Sequence, residues 1–131
     1  MVCFDTDFLV ALLRGDEEAE EKSTTLEIRG IKKTTTPINA FELFIGAYLS
    51  SKREDNINLV KDLLQTIELL EFNMPSCERA GEYEATLRRR GEEIGIRDVM
   101  IAAISHIHDE TLLTRNMQHY SRIKGLKIDK W

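Results

Sequence analysis

Short strand-like runs alternate with helix-length segments along nearly the whole chain, and this alternation limits the possible folds more than any other feature. Val2-Cys3-Phe4 is apolar, ends in Asp5 and reads as a buried strand followed by a turn. From Thr6, the residues Phe8, Leu9, Leu12 and Leu13 recur at helical spacing and stop at Gly15. Asp16 is placed to cap a second helix, with Glu17, Glu18 and Glu20 near its positive end. Lys32 to Thr36, rich in β-branched threonine, predicts a second strand. Thr36 and Pro37 then suit the cap and first position of a helix with Phe41, Leu43, Phe44, Ala47 and Tyr48 on its apolar surface. A further helix is expected from about Asn56 to Leu64, a strand over Ile67 to Phe72, and a helix from Pro75 to Gly91. Arg97 to His108 is helical and apolar nearly all round, so it should lie in the core. Thr111–Thr114 and Leu126–Ile128 read as a fourth and a fifth strand, with a short helix over Gln118–Ile123 between them.

Strands and helices alternating in this way predict an α/β fold whose mainly parallel sheet of four to five strands is covered on both faces. The 131 residues, without an internal repeat or a linker, suit one domain over 1–131. Function in such sheets collects beyond the carboxyl ends of the strands. Asp5 falls there after the first strand, and Thr114 to Asn116 after the fourth.

Composition narrows the classes. Hydrophobic residues at 42%, charged residues at 31% and only two prolines exclude a disordered or collagen-like chain. Cys3 and Cys77 have no zinc-like spacing, and Cys3 reads as a small buried hydrophobe. The longest apolar run, Val99–Ile104, is far short of the roughly 18 residues of a membrane span. The start lacks the basic and apolar stretches of a signal peptide, so a cytoplasmic protein with no membrane partner is expected. Net charge is −5, unevenly spread. Residues 111–131 hold Arg115, Arg122, Lys124, Lys127 and Lys130 against Asp129 alone, a net of +4, which leaves −9 on the first 110. An acidic body with a basic strip is not a non-specific DNA coater. It suits an acidic metal site bordered by phosphate-gripping cations, and equally a set of solvated surface charges.

Four polar positions stand in or against apolar sequence: Asp5, Glu42, Asp98 and Asn116. A carboxylate among large apolar residues is costly unless paired or metal-bound. Several such acids together repel, and a hard dication such as Mg²⁺ relieves them. Each has a plainer reading. Asp5 serves as a helix N-cap, Asp98 as a favourable first-turn charge, and Asn116 as a cap or turn residue. Glu42 fits no cap role.

Phe4-Asp5-Thr6-Asp7, Ala40-Phe41-Glu42-Leu43, Arg97-Asp98-Val99-Met100-Ile101-Ala102-Ala103 and Leu112-Leu113-Thr114-Arg115-Asn116 occur in the order found in PIN-domain ribonucleases. The ending Tyr120-Ser121-Arg122-Ile123-Lys124-Gly125-Leu126 resembles that of VapC-type toxins of toxin–antitoxin pairs. The resemblance covers nearly the whole chain. It implies a three-layer α/β/α PIN-like fold and a Mg²⁺- or Mn²⁺-dependent endoribonuclease. It also implies homodimerisation and inhibition by a small antitoxin encoded alongside.

Asp5, Glu42 and Asp98 match the family's metal-holding acids and Thr114 its small hydroxyl residue after the fourth strand. Asn116 stands where an acid is common, which bears on a second metal. Thr114, Arg115 and Asn116 are candidate second-metal or substrate contacts. His119, where an acidic or polar residue is frequent, reads as an exposed helix-surface residue or an RNA contact, and Asp7 as a helix-start charge. Arg88-Arg89-Arg90 is a candidate phosphate contact or a solvated run balancing the helix dipole. Leu12, Leu13, Phe44 and Tyr48 are candidates for a partner groove or for core. Two other functions are weighed: a haloacid-dehalogenase-type phosphatase using Asp5-Thr6-Asp7, which lacks the late acidic pair, and a decayed RNA- or partner-binding module, favoured only by Asn116.

Overall fold

In the computed structural model, which describes residues 1–131, five strands run parallel in the order β3-β2-β1-β4-β5. They are β1 (Val2–Phe4), β2 (Lys33–Thr35), β3 (Glu68–Leu69), β4 (Thr111–Thr114) and β5 (Ile128–Lys130). The helices are α1 (Thr6–Leu13), α2 (Glu17–Ile28), α3 (Pro37–Leu49), α4 (Arg53–Gln65), α5 (Met74–Arg90), α6 (Ile96–Ile107) and α7 (Met117–Tyr120). The chain winds outward from β1 through β2 to β3, then returns to place β4 on the other side of β1 and β5 beyond it. The carboxyl ends of β1 and β4 therefore border the point where the winding reverses, where an open parallel sheet leaves a crevice.

Side chains alternate across the sheet because successive residues of a strand point to opposite faces. Cys3 and Leu112 join a core with Leu87, Val99, Ile101 and Ile104 from α5 and α6. Phe4 and Leu113 point the other way, into a core with Phe8, Leu9, Leu26, Leu43 and Val60 from α1 to α4. These two apolar layers make the α/β/α sandwich. Cys3 is wholly buried, and burial pushes its thiol well above the usual range, so it is the inert hydrophobe expected.

The helix ends follow their residues. Asp16 Oδ1 accepts the Ala19 N–H at 3.0 Å, and Asn73 Oδ1 accepts that of Ser76 at 3.0 Å. α6 starts after Gly95, whose φ of +105° suits a residue without a Cβ. Departures from the sequence expectation lie at the edges. The strand expected over Ile67–Phe72 shrinks to Glu68–Leu69, because it has one neighbour and the chain turns away toward the Asn73 cap. β5 is Ile128–Lys130 rather than Leu126–Ile128, in a register set by pairing Leu112 with Ile128 and Thr114 with Lys130. α4 begins three residues earlier than expected, with Glu54 and Asp55 at its positive end, and α7 is a single turn.

Candidate active site

Asp5 lies where β1 stops and α1 begins, and its backbone N–H donates to Leu113 O at 3.0 Å, tying it to the end of β4. Its carboxylate caps α1 by accepting the Thr6 N–H at 2.9 Å on Oδ1. The same oxygen accepts Asn39 Nδ2 at 3.1 Å and the Tyr120 hydroxyl at 3.5 Å, while Oδ2 accepts Thr114 Oγ1 at 2.7 Å. The cap and the site are thus one carboxylate. Asp5 is 5% exposed, and burial pushes its pKa up to about 6. The Thr114 hydrogen bond opposes that rise, while the charges of Asp7 and Asp98 add to it.

Glu42 is reached through a relay. Thr36 caps α3, and Asn39 at the third helical position completes a reciprocal capping box with it. Asn39 is fully buried, and its Nδ2 also donates to Thr6 Oγ1 at 2.9 Å. Thr6 in turn donates to Glu42 Oε1 at 2.7 Å. Arg97 Nη1 stands 3.8 Å from Glu42 Oε2. An Asn39→Ala variant removes both amide donors and half the capping box. It should lose about 1–3 kcal/mol of stability in denaturant unfolding, the usual cost of buried groups left unpaired.

Asp98 occupies the first turn of α6, where its charge also suits the positive helix end. Its Oδ2 lies 2.8 Å from His119 Nδ1 and 3.2 Å from Asn116 Nδ2. A carboxylate only accepts, so the His119 proton sits on Nδ1, leaving Nε2 as the acceptor when the ring is neutral. Asp98 Oδ1 accepts the Tyr120 hydroxyl at 3.3 Å. That hydroxyl stands between Asp5 and Asp98, and burial, then the negative charges of Asp5, Asp98 and Glu42, raise its pKa far above the phenol range. The helix-surface assignment of His119 is therefore corrected. It is half-buried, and the one turn of α7 aims it at Asp98.

The expected residues divide into three groups. Asp5, Asp98, Thr114 and Asn116 come together around the ends of β1 and β4, and the Asn116 N–H donates to Thr114 Oγ1 at 2.9 Å. Glu42 joins through Thr6. Arg115 does not turn its guanidinium inward: Nη2 bonds Glu18 Oε2 at 2.7 Å, Nε bonds Trp131 O at 3.0 Å, and the group lies 3.5 Å from the Trp131 ring centre. Asp7 is structural, accepting the Arg115 N–H at 2.8 Å and Trp131 Nε1 at 3.2 Å. Sequence reasoning missed Thr6, Asn39, Tyr120 and Arg97. A buried amide at the third position of a Thr-Pro-capped helix was the available signal for Asn39. No three carboxylate, histidine or cysteine groups lie close enough to enclose a metal ion by themselves.

The family model described as PIN domain matches residues 2–126. A tRNA(fMet)-specific endonuclease VapC of Salmonella typhimurium is 30% identical over 94 residues, which are 72% of this chain and 71% of that protein. Ribonuclease VapC1 of Haemophilus influenzae is 24% identical over 127 residues, 97% of this chain and 95% of that protein. Among solved structures, VapBC2 from Rickettsia felis bound to a DNA fragment from its promoter aligns with a TM-score of 0.92. That alignment has 24% identity and covers 100% of this chain and 99% of that one, so the fold is shared. The chain belongs to the PIN-domain family and stands within it among the VapC ribonucleases.

Proposed function

We propose that this protein is a metal-dependent endoribonuclease that hydrolyses RNA phosphodiester bonds as the toxin of a type II toxin–antitoxin module. On this proposal it works in the cytoplasm as a homodimer and is held inactive by a small cognate antitoxin. The observation that carries it is the meeting of Asp5 and Asp98, from strand and helix ends 93 residues apart, on one buried tyrosine hydroxyl in a chain of the VapC family. No helix is long and apolar enough to cross a membrane.

The donor set supports a hard divalent cation held on few protein ligands. Asp5 and Asp98 offer carboxylate oxygens, Asn116 an amide oxygen, and the site lacks a third acid close enough to complete a cage. Mg²⁺ suits such a site, since it keeps several waters and needs one or two carboxylates. When bound, such an ion supplies a more acidic water and neutralises charge gathering on the phosphate. Thr114, Asn39 and the Thr6 N–H hold Asp5 to one orientation, and His119 and Asn116 do the same for Asp98. Glu42, with Oε1 held by Thr6 and Oε2 facing Arg97, is the acid placed to orient a water at the edge of the site.

The phosphatase alternative needs Asp7 as an acid beside the nucleophile, but Asp7 is taken up by Arg115, Trp131 and Thr114. Purified protein incubated with RNA and Mn²⁺ should cleave it, and EDTA should stop cleavage. Chelator-insensitive or absent cleavage overturns the proposal.

Asn116 bears on metal affinity. Its neutral amide stands beside Asp98, so a second dication should bind weakly and Mn²⁺ should support activity better than Mg²⁺. Asn116→Asp adds a negative charge there. The Mg²⁺ concentration for half-maximal cleavage should fall roughly tenfold, about 1.4 kcal/mol of added attraction. Calorimetry should show tighter binding or a second event, and unchanged metal dependence would place Asn116 outside the metal's reach.

A further inference from the structure

The loop after α7 and the C-terminal half of α5 border an open cleft of about 130 Å³. Tyr83 and Leu87 contribute its apolar surface, and Arg90, Arg122 and Lys124 are on its wall. None of these three cations forms a salt bridge, and neither does Glu82, the acid on the same wall. Unpaired cations gathered in a chain of net charge −5 call for an explanation. The C-terminal end of the α5 dipole accounts for part of Arg90, since cations are favoured there. It does not account for the two cations brought from the other loop.

Arg122 is fixed in place. Its Nη1 donates to the carbonyls of Glu92 and Glu93 at 3.2 Å each, which leaves Nε and Nη2 free on a fork shaped for oxyanions. The same contacts tie the loop after α7 to the loop before α6. Both loops lead directly into the candidate site: α7 carries His119 and Tyr120, and α6 carries Asp98. Arg122 is two residues from Tyr120, so their Cα atoms are separated by at most about 7.6 Å of chain. The cleft opens to solvent and has room for a phosphate group.

We infer that this cleft is a phosphate-binding subsite, which holds a backbone phosphate of the RNA strand a few nucleotides from the bond cleaved between Asp5 and Asp98. This rests on the ribonuclease function proposed above. Phosphate contacts of this kind fix the register of a strand without reading its sequence. The subsite would set where along a single-stranded loop the scissile bond comes to rest. Arg90 and Lys124 grip the phosphate, and Arg122 both grips it and joins the two loops.

The test is binding of a short 2′-O-methylated, uncleavable RNA in EDTA, followed by anisotropy at several salt concentrations, with cleavage of the unmodified RNA measured in parallel. The double variant Arg90→Ala/Lys124→Ala should bind about tenfold more weakly. Its slope of log K against log salt should be shallower by about 0.7 for the lost phosphate. KM should rise while kcat at saturating RNA holds. Arg90→Lys/Lys124→Arg should restore affinity and slope, and Lys61→Ala on α4 should change neither. Unchanged affinity and slope in the double variant, with wild-type protein binding and cleaving RNA, would overturn the subsite alone. Failure of the wild-type protein to bind or cleave RNA would overturn the ribonuclease function on which it rests.

Discussion

Asp98→Asn should lower kcat/KM for RNA cleavage by at least about 10³-fold, equivalent to about 4 kcal/mol of transition-state stabilisation. The loss should lie in the reaction rather than in the fold. Asp98 sits in the first turn of α6, outside the fully buried set, and an amide keeps the shape its neighbours pack around. The amide has no full charge with which to hold a dication. Its oxygen can take the Oδ2 place and accept from both His119 Nδ1 and Asn116 Nδ2, but its nitrogen then replaces the Oδ1 that accepts the Tyr120 hydroxyl. The measurement is single-turnover cleavage in Mg²⁺ and Mn²⁺, beside thermal unfolding of the same preparation. Near-wild-type cleavage by this variant would rule out Asp98 as a ligand of the proposed metal.

Asp5→Asn should abolish cleavage equally and, in EDTA at pH 7 to 8, make the protein more stable. In the native chain, the Asp5 pKa rises from an ordinary 3.8 to about 6. An acid with a raised folded value binds its proton more tightly folded than unfolded. Its effect on stability is therefore neutral below about pH 4, grows unfavourable between pH 4 and 6, and is constant above that. A shift of about two units corresponds to about 3 kcal/mol at neutral pH. The amide is accommodated. Its oxygen keeps the Thr6, Asn39 and Tyr120 donors, and its nitrogen can donate to Thr114 Oγ1. The Thr114 proton then turns to Asp7 Oδ2, already 3.3 Å away. Some charge-assisted hydrogen bonding is lost, so a net gain of about 1–2 kcal/mol is expected. Denaturant unfolding in EDTA should show native stability falling more steeply between pH 4 and 6 than that of the variant, which keeps the buried Glu110 carboxyl. Added Mn²⁺ should stabilise the native protein and leave the variant unchanged. A variant less stable than the native protein at pH 8 would mean that its hydrogen bonds outweigh its buried charge.

Much of this was legible in the residues because local chemistry and tertiary role agree there. Val2-Cys3-Phe4, Thr36-Pro37 and the apolar Val99–Ile104 run each form the element their pattern dictates, and Asp16 caps the helix it precedes. Asp5 was legible twice, as a cap and as a buried acid, and it is both. The edge strands were misplaced because a strand with one neighbour takes its limits from pairing rather than from its own residues. His119 was misplaced and Tyr120 missed for a related reason. A one-turn helix has too little periodicity to show which way it faces, and contact with Asp98 sets that direction across 21 and 22 residues. Arg115 looked available in sequence because Glu18 and Trp131, which occupy it, are remote along the chain.

The strand order also governs when the molecule can become active during its synthesis. β1, β2 and β3 can pair once residues 1–69 have emerged, but the partner on the other side of β1 is β4, and Asp5 meets Thr114 across 109 residues. Chains grow from the N-terminus at about 5–20 residues per second, and contacts so distant along the chain form late. A growing polypeptide can therefore link Asp5 to Glu42 through Asn39 and Thr6 early, but Asp5 waits seconds for Asp98 and Thr114. The one turn of α7 carries the hydroxyl on which Asp5 and Asp98 meet, so the two acids are brought together only after Tyr120 has been added.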